Sequence, residues 1–172
     1  MWRKIVIACS VLLAFVLQST LMQRISLGNV APNLLIIITA TYGFMRGKKN
    51  GLLVGFFCGL LTDIFFGEVI GFYALIFMYI GYGNGFFHRI FFPEDIKLPL
   101  FLIVISDFLY GITVYVLMFL LRGRFELSYY ITRVILPEVI YTIVLTFLVY
   151  PVTLKINRKF DEIEKRSEKK FV

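Results

Sequence analysis

The chain has 172 residues, 59% of them hydrophobic and only 17% charged, with a mean hydropathy of +0.85. A soluble domain would be about half apolar and about a quarter charged, so a water-soluble enzyme domain is excluded, and no long polar stretch outside the tail leaves room for a singly anchored one. The 18 basic and 11 acidic residues give a formal +7, which in so apolar a chain points first to asymmetric membrane loops rather than to nucleic acid.

Arg3 and Lys4 precede an apolar run in which Val6-Ile7-Ala8-Cys9 resembles a lipoprotein cleavage box. Only four apolar residues stand before Cys9, where a signal peptide has about 7–15, and the run continues to Met22. A retained first helix is expected over residues 5–22. After a polar link, Pro32-Asn33 offers a proline at a helix start and a good N-cap, so helix 2 is expected from there to Met45. Arg46-Gly47-Lys48-Lys49-Asn50 then reads as a tight cationic turn, because three cations cannot lie in hydrocarbon. Helix 3 is expected over 51–66. Helices 2 and 3 would then be roughly 21 and 24 Å long, short of a hydrocarbon layer about 30 Å thick. Either their flanks extend them, the bilayer thins, or the two form a re-entrant hairpin.

The link from Gly67 to Gly71 leads into helix 4, over 72–87. A polar loop over 88–97 carries His88, Pro93, Glu94 and Asp95. Helix 5 is expected over 98–121, closed by Arg122, Arg124 and Glu126, and helix 6 over 129–153, with Pro151 marking its end. The sequence therefore divides into a six-helix transmembrane domain, 1–153, and a basic amphipathic tail, 154–172, with seven cations and four acids. In that tail Ile156, Phe160, Ile163 and Phe171 fall near one helical face, with Ser167 at the missing step. Asp161–Lys165 and Glu162–Arg166 are helix-supporting pairs. Such a tail either extends helix 6 into the cytoplasm, lying on anionic lipid or against another protein, or is a frayed, solubilising end. Alternating six spans puts both termini, the 46–50 turn and the 88–97 loop on one face, which then holds 14 Lys or Arg against 4 on the other. The positive-inside rule makes the first face cytoplasmic.

Gly51, Gly55 and Gly59 recur every four residues, keeping small residues on one face so that another helix backbone can approach. That face serves either packing within the bundle or docking of a partner's transmembrane helix. Gly81, Gly83 and Gly85 follow no strand and are no nucleotide loop. Asp63, Asp107 and Glu138 are intramembrane acids, with Arg133 near the end of a span; such residues usually face the bundle interior. At the helical rise, Asp107 lies about 15 Å from the face carrying Lys97 and Glu138 about 13–14 Å from the opposite one, so the two share a level. They form either a proton or cation site, or neutral carboxyls hydrogen-bonded to Ser106, Tyr110 or Tyr141. Asp63 is also placed to cap or pin the turn into Gly67. With a single histidine and two cysteines, Cys9 and Cys58, in separate apolar runs, neither a catalytic triad, a metal site nor a cofactor is expected.

These features, in order, resemble the rod shape-determining protein MreD family of bacteria. The residues that carry the resemblance are Pro32-Asn33 before Leu34-Leu35-Ile36-Ile37, the series Gly51, Gly55, Gly59-Leu60 and Asp63, then Gly67 and Gly71 with Ala74-Leu75, Asp107 in helix 5, and Tyr150-Pro151 before the basic tail. The resemblance spans about residues 1–165. It implies a non-catalytic inner-membrane component of the elongation machinery that directs lateral peptidoglycan synthesis. The partners it implies are the bitopic MreC, the actin-like MreB, and a polymerase with its transpeptidase. It also implies a bundle similar to the substrate-binding subunits of energy-coupling-factor transporters, so a small-molecule-binding transporter subunit is the alternative.

Overall fold

A computed structural model of the protein describes residues 2–22, 24, 30–90, 96–118 and 127–168. Pro93, Glu94, Asp95, Arg122, Arg124, Glu126 and Phe171 lie outside the described residues, as do the side chains of the tail pairs. Every regular element described is helical. Helix α1, Trp2–Leu17, continues through a π turn, Gln18–Met22; α2 is Leu34–Arg46 and α3 is Lys48–Phe66; α4, Phe72–Asn84, tightens into a 3₁₀ turn, Gly85–Ile90; α5 is Lys97–Met118. The last helix, α6, starts at Leu127–Tyr130, passes a π turn at Ile131–Ile135 and runs on as Leu136–Glu168.

The centre of the bundle is α2. Every residue from 34 through 45 is buried, and α1, α3, α4, α5 and α6 all pack around it. A helix that is apolar all round is either a lipid-facing span or one enclosed by protein, and α2 is enclosed. Its side walls never meet lipid, so its 13-residue length creates no exposed mismatch. The other helices present a belt of exposed Phe, Leu, Ile and Val to the outside.

Three expectations need correction. First, the cationic turn over 46–50 shrinks to one residue. Gly47, at φ 81°, is the only break between α2 and α3. Lys48 and Lys49 extend α3 to 19 residues, or about 28 Å, which removes the shortfall expected of that helix. Lysines at a helix end are tolerated because their stems lie along apolar surface while the ammonium reaches the interface; Lys48 Nζ sits 3.5 Å from the centroid of the Phe86 ring. Second, not all six helices are spans by length. Among the described residues, four are long and apolar enough to cross a membrane; α2 and α4, each 13 residues, are not. Third, Pro151 lies inside α6 and does not end it; the helix runs on through the tail to Glu168, the extension expected of that tail. Proline removes one helical donor, and on the inward face of α6 the hydroxyls of Thr146 and Thr153 donate back to the carbonyls of Thr142 and Val149, holding the helix on both sides of it.

In hydrocarbon, apolar burial gives little drive to helix association, so close van der Waals packing and internal polar satisfaction must hold the bundle. The glycine stripe supplies the first. A methyl placed on Gly51, Gly55 or Gly59 would run into the backbone of α4, at Gly81, Phe77 and Ala74 respectively. One on Gly43 of α2 would also strike the Gly81 carbonyl, so the backbones of α2, α3 and α4 converge at one point. The stripe's face is therefore taken by α4 of the same chain, and no open docking face remains along it.

Candidate functional site

Three places inside the bundle bring polar groups together. The first is the start of α2, where four backbone N–H groups need acceptors that lipid cannot supply. Gln18, in the π turn after α1, accepts from Leu34 N–H at 2.6 Å and from Leu35 N–H at 3.3 Å through Oε1. Asn33 Oδ1 accepts from Ile36 N–H at 3.2 Å, and the fourth, the N–H of Asn33 itself, is taken by Thr142 on α6. All four are satisfied. Asn33 is thus the N-cap expected of it, with buried Pro32 beside it. It also ties α2 to α6: its backbone N–H donates to Thr142 Oγ1 at 3.2 Å, and its side-chain amide donates to Glu138 Oε1 at 3.4 Å.

Glu138 follows immediately after Pro137, which itself follows the π turn of α6. A π turn commonly marks a functional position, and here it lies shortly before Glu138, which meets the α2 cap. Across from it on α5 lies Asp107, near enough for the two carboxyls to interact electrostatically. Asp107 is 1% exposed, and neither of its oxygens makes a hydrogen bond among the described residues; the side chain of Thr142 faces it from α6. Ser106, one of the partners expected for Asp107, instead accepts from Asn84 Nδ2 of α4 at 2.7 Å and donates to the Leu102 carbonyl. An unpartnered carboxylate in hydrocarbon is expensive, whereas an amide of the same shape carries no charge to desolvate. Asp107→Asn is therefore expected to melt at the wild-type temperature or above it, and Asp107→Leu to melt lower from overpacking, by about 1–3 kcal/mol. Thermal unfolding in detergent, paired with a rod-shape complementation assay, checks this. If Asn abolishes function at equal abundance, a charge at this position does work that packing does not explain.

The second place is Asp63, also 1% exposed. Its carboxylate accepts from three backbone N–H groups at the start of α4: Gly71 at 2.9 Å and Ala74 at 3.0 Å through Oδ2, and Tyr73 at 2.8 Å through Oδ1. It pins the link between α3 and α4 and caps α4, whose first residue follows Gly71 at φ 98°.

The third place is the cleft between α4 and α5, a cavity of about 500 Å³. Leu75, Tyr79, Gly83, Phe87, Ile105 and Leu109 are among its walls, and Asn84 and Ser106 stand at its base. Asn84 Oδ1 is buried with no hydrogen-bond donor among the described residues, while Gly83 faces open space.

Sequence reasoning missed Gln18, Thr142, Asn84 and Gly81. Gln18 and Thr142 act on backbone that lies 16 and 109 positions away, which no local pattern reveals. Gly81 had a readable signal: with Gly85 it repeats the spacing of four seen in α3. His88 caps the other end of α2, its Nδ1 lying 3.0 Å from the Phe44 carbonyl.

Compared with known proteins, residues 2–160 match the sequence model of the rod shape-determining protein MreD. The chain belongs to the MreD family. The match takes in all of α1 to α5 and α6 as far as the start of its basic segment, so the caps, the glycine stripe and the acids belong to the family region. No curated protein and no solved structure matches it. Membership in the MreD family makes this a rod-shape-determining membrane protein.

Proposed function

We propose that this MreD-family chain is a non-catalytic scaffold of the bacterial cell-elongation complex, seated in the inner membrane with both termini cytoplasmic, and that it organises lateral peptidoglycan synthesis by packing against partner membrane proteins. MreC is the direct partner in this reading, with MreB and the polymerase–transpeptidase pair in the same complex. The family match carries it. The 14-to-4 division of basic residues supports the orientation, with α2 passing inside the protein and α4, which keeps one face outward, completing six passes. The bundle similar to energy-coupling-factor subunits belongs to this proposal as well, but the transporter alternative is weaker. A ligand-binding subunit needs a polar pocket, and here the middle of the bundle is filled by α2.

The α4/α5 cleft is the docking surface best suited to a partner helix. Lipid tails offer nothing to Asn84 Oδ1, whereas a hydroxyl or amide side chain on a partner helix donates to it. Gly83→Leu tests the proposal. A Cβ there has no atom of the chain within 4 Å, so the variant is expected to accumulate and melt normally while its co-purification with MreC falls by tenfold or more, an order-of-magnitude estimate for about 1.4 kcal/mol of lost packing. Normal MreC recovery with Gly83→Leu places the contact elsewhere.

A further inference from the structure

We propose that the groove between α1 and α3 is a binding site for an anionic phospholipid, with the headgroup held at the Lys4–Asn50 end and one acyl chain laid between the helices. The groove has a volume of about 540 Å³, and among the described residues Lys4 and Asn50 are its only polar lining. Beyond them its walls are hydrocarbon, from Ile7 to Leu12 on α1 and from Leu53 to Ile64 on α3. The far end is bounded by rings, with Phe15 at 5.0 Å from Phe65 and 6.0 Å from Phe66. Polar at one end and dry along the rest, the groove has the polarity of a lipid.

Its dimensions agree. From Asn50 to Ile64 the α3 wall rises about 21 Å, long enough for one extended hydrocarbon chain to lie along it. Unlike the α4/α5 cleft, these walls carry no unpartnered polar group that calls for a protein donor. Charge selects the headgroup. Lys4 is exposed at the mouth, and Lys49, also exposed, stands four residues before Leu53 on the same face of α3. Asn50 is held in place by donating to the Arg46 carbonyl at 3.0 Å. Each lysine beside an anionic membrane surface is worth about a fivefold preference.

The test uses the full chain with Trp2→Phe, leaving Phe57→Trp as the single fluorescent probe; Phe57 is 55% exposed in the wall of the groove. The protein is reconstituted in mixed phosphatidylglycerol–phosphatidylcholine bilayers in which one lipid or the other carries brominated chains. Brominated phosphatidylglycerol is expected to quench the probe with about a fivefold or greater preference over brominated phosphatidylcholine. Lys4→Gln with Lys49→Gln is expected to abolish that preference. A control probe, Ile140→Trp on the exposed face of α6, is expected to show none. Equal quenching by the two lipids overturns the proposal, as does a preference that survives both glutamines. Quenching by neither lipid at the groove, with normal quenching at the control, assigns the groove to protein and also overturns it. Should Phe57→Trp fail to accumulate, Leu53→Trp on the same wall gives the same readout.

Discussion

Gly55→Leu is expected to unfold the bundle, or to lower its stability by upwards of about 3 kcal/mol, a value at the high end for overpacking. The position lies where α3 meets α4, and even a methyl there would strike the carbonyl oxygen of Phe77. Backbone cannot rotate aside as a side-chain tip can, so the helices must separate. Separation breaks the convergence of α2, α3 and α4 at Gly43, Gly51 and Gly81. Intrinsic propensity pushes the other way, since leucine favours a helix over glycine by nearly 1 kcal/mol. A loss of stability therefore reports tertiary packing and nothing local. Membrane abundance and thermal unfolding of the purified variant measure it, with Phe56→Leu, on the exposed side of the same helix, as the control. An unchanged melting temperature for Gly55→Leu refutes the close approach.

Asp63 gives the second large effect, and the conservative variant is the informative one. Three N–H donors converge on its carboxylate, two on Oδ2 and one on Oδ1. Asparagine replaces one oxygen by an NH₂ group that can only donate. Whichever way the amide is turned, that group faces at least one backbone donor. Asp63→Asn is expected to fall close to Asp63→Ala, each by about 3 kcal/mol or more, because hydrogen bonds to a charged group contribute about 1.5–3 kcal/mol each and orphaned buried donors add their desolvation cost. At Asp107, which has only the Thr142 side chain facing it and no converging backbone donors, the same substitution is expected to be harmless. Melting temperatures of the four single variants, Asn and Ala at each site, decide the matter. Rescue of Asp63 by asparagine contradicts the three-donor cap.

How much of this was legible in the residues differs from element to element. The helices, and Asn33 as the cap of α2, follow from local chemistry, since an apolar run ends where backbone needs a polar partner. The spacing of four in α3 announces a close approach without naming the helix that approaches. That helix is chosen by tertiary geometry, which places Ala74, Phe77 and Gly81 opposite. The cationic stretch at 46–50 misled because charge was read as a signal for loop, although a single glycine with positive φ suffices for the reversal and the lysines remain helical. Pro151 misled in the same way: its missing donor is a local penalty, and packing around α6 overrides it. The pairing of Gln18 and Thr142 with the start of α2 has no trace in any short window.

The enclosure of α2 also dictates an order of assembly. Its C-terminal partner His88 and its packing partners α3 and α4 all lie within residues 34–90, so this part can form from neighbouring chain. Its N-terminal end is different: Thr142 and Glu138, which receive donors from Asn33, are made more than a hundred residues later. Until α6 arrives, that end of the central helix has donors waiting in a medium with no water to take them. Arrival of α6 is thus the step that commits the nascent chain to its final form, and a chain halted before it would leave the membrane holding an incomplete bundle with an open side.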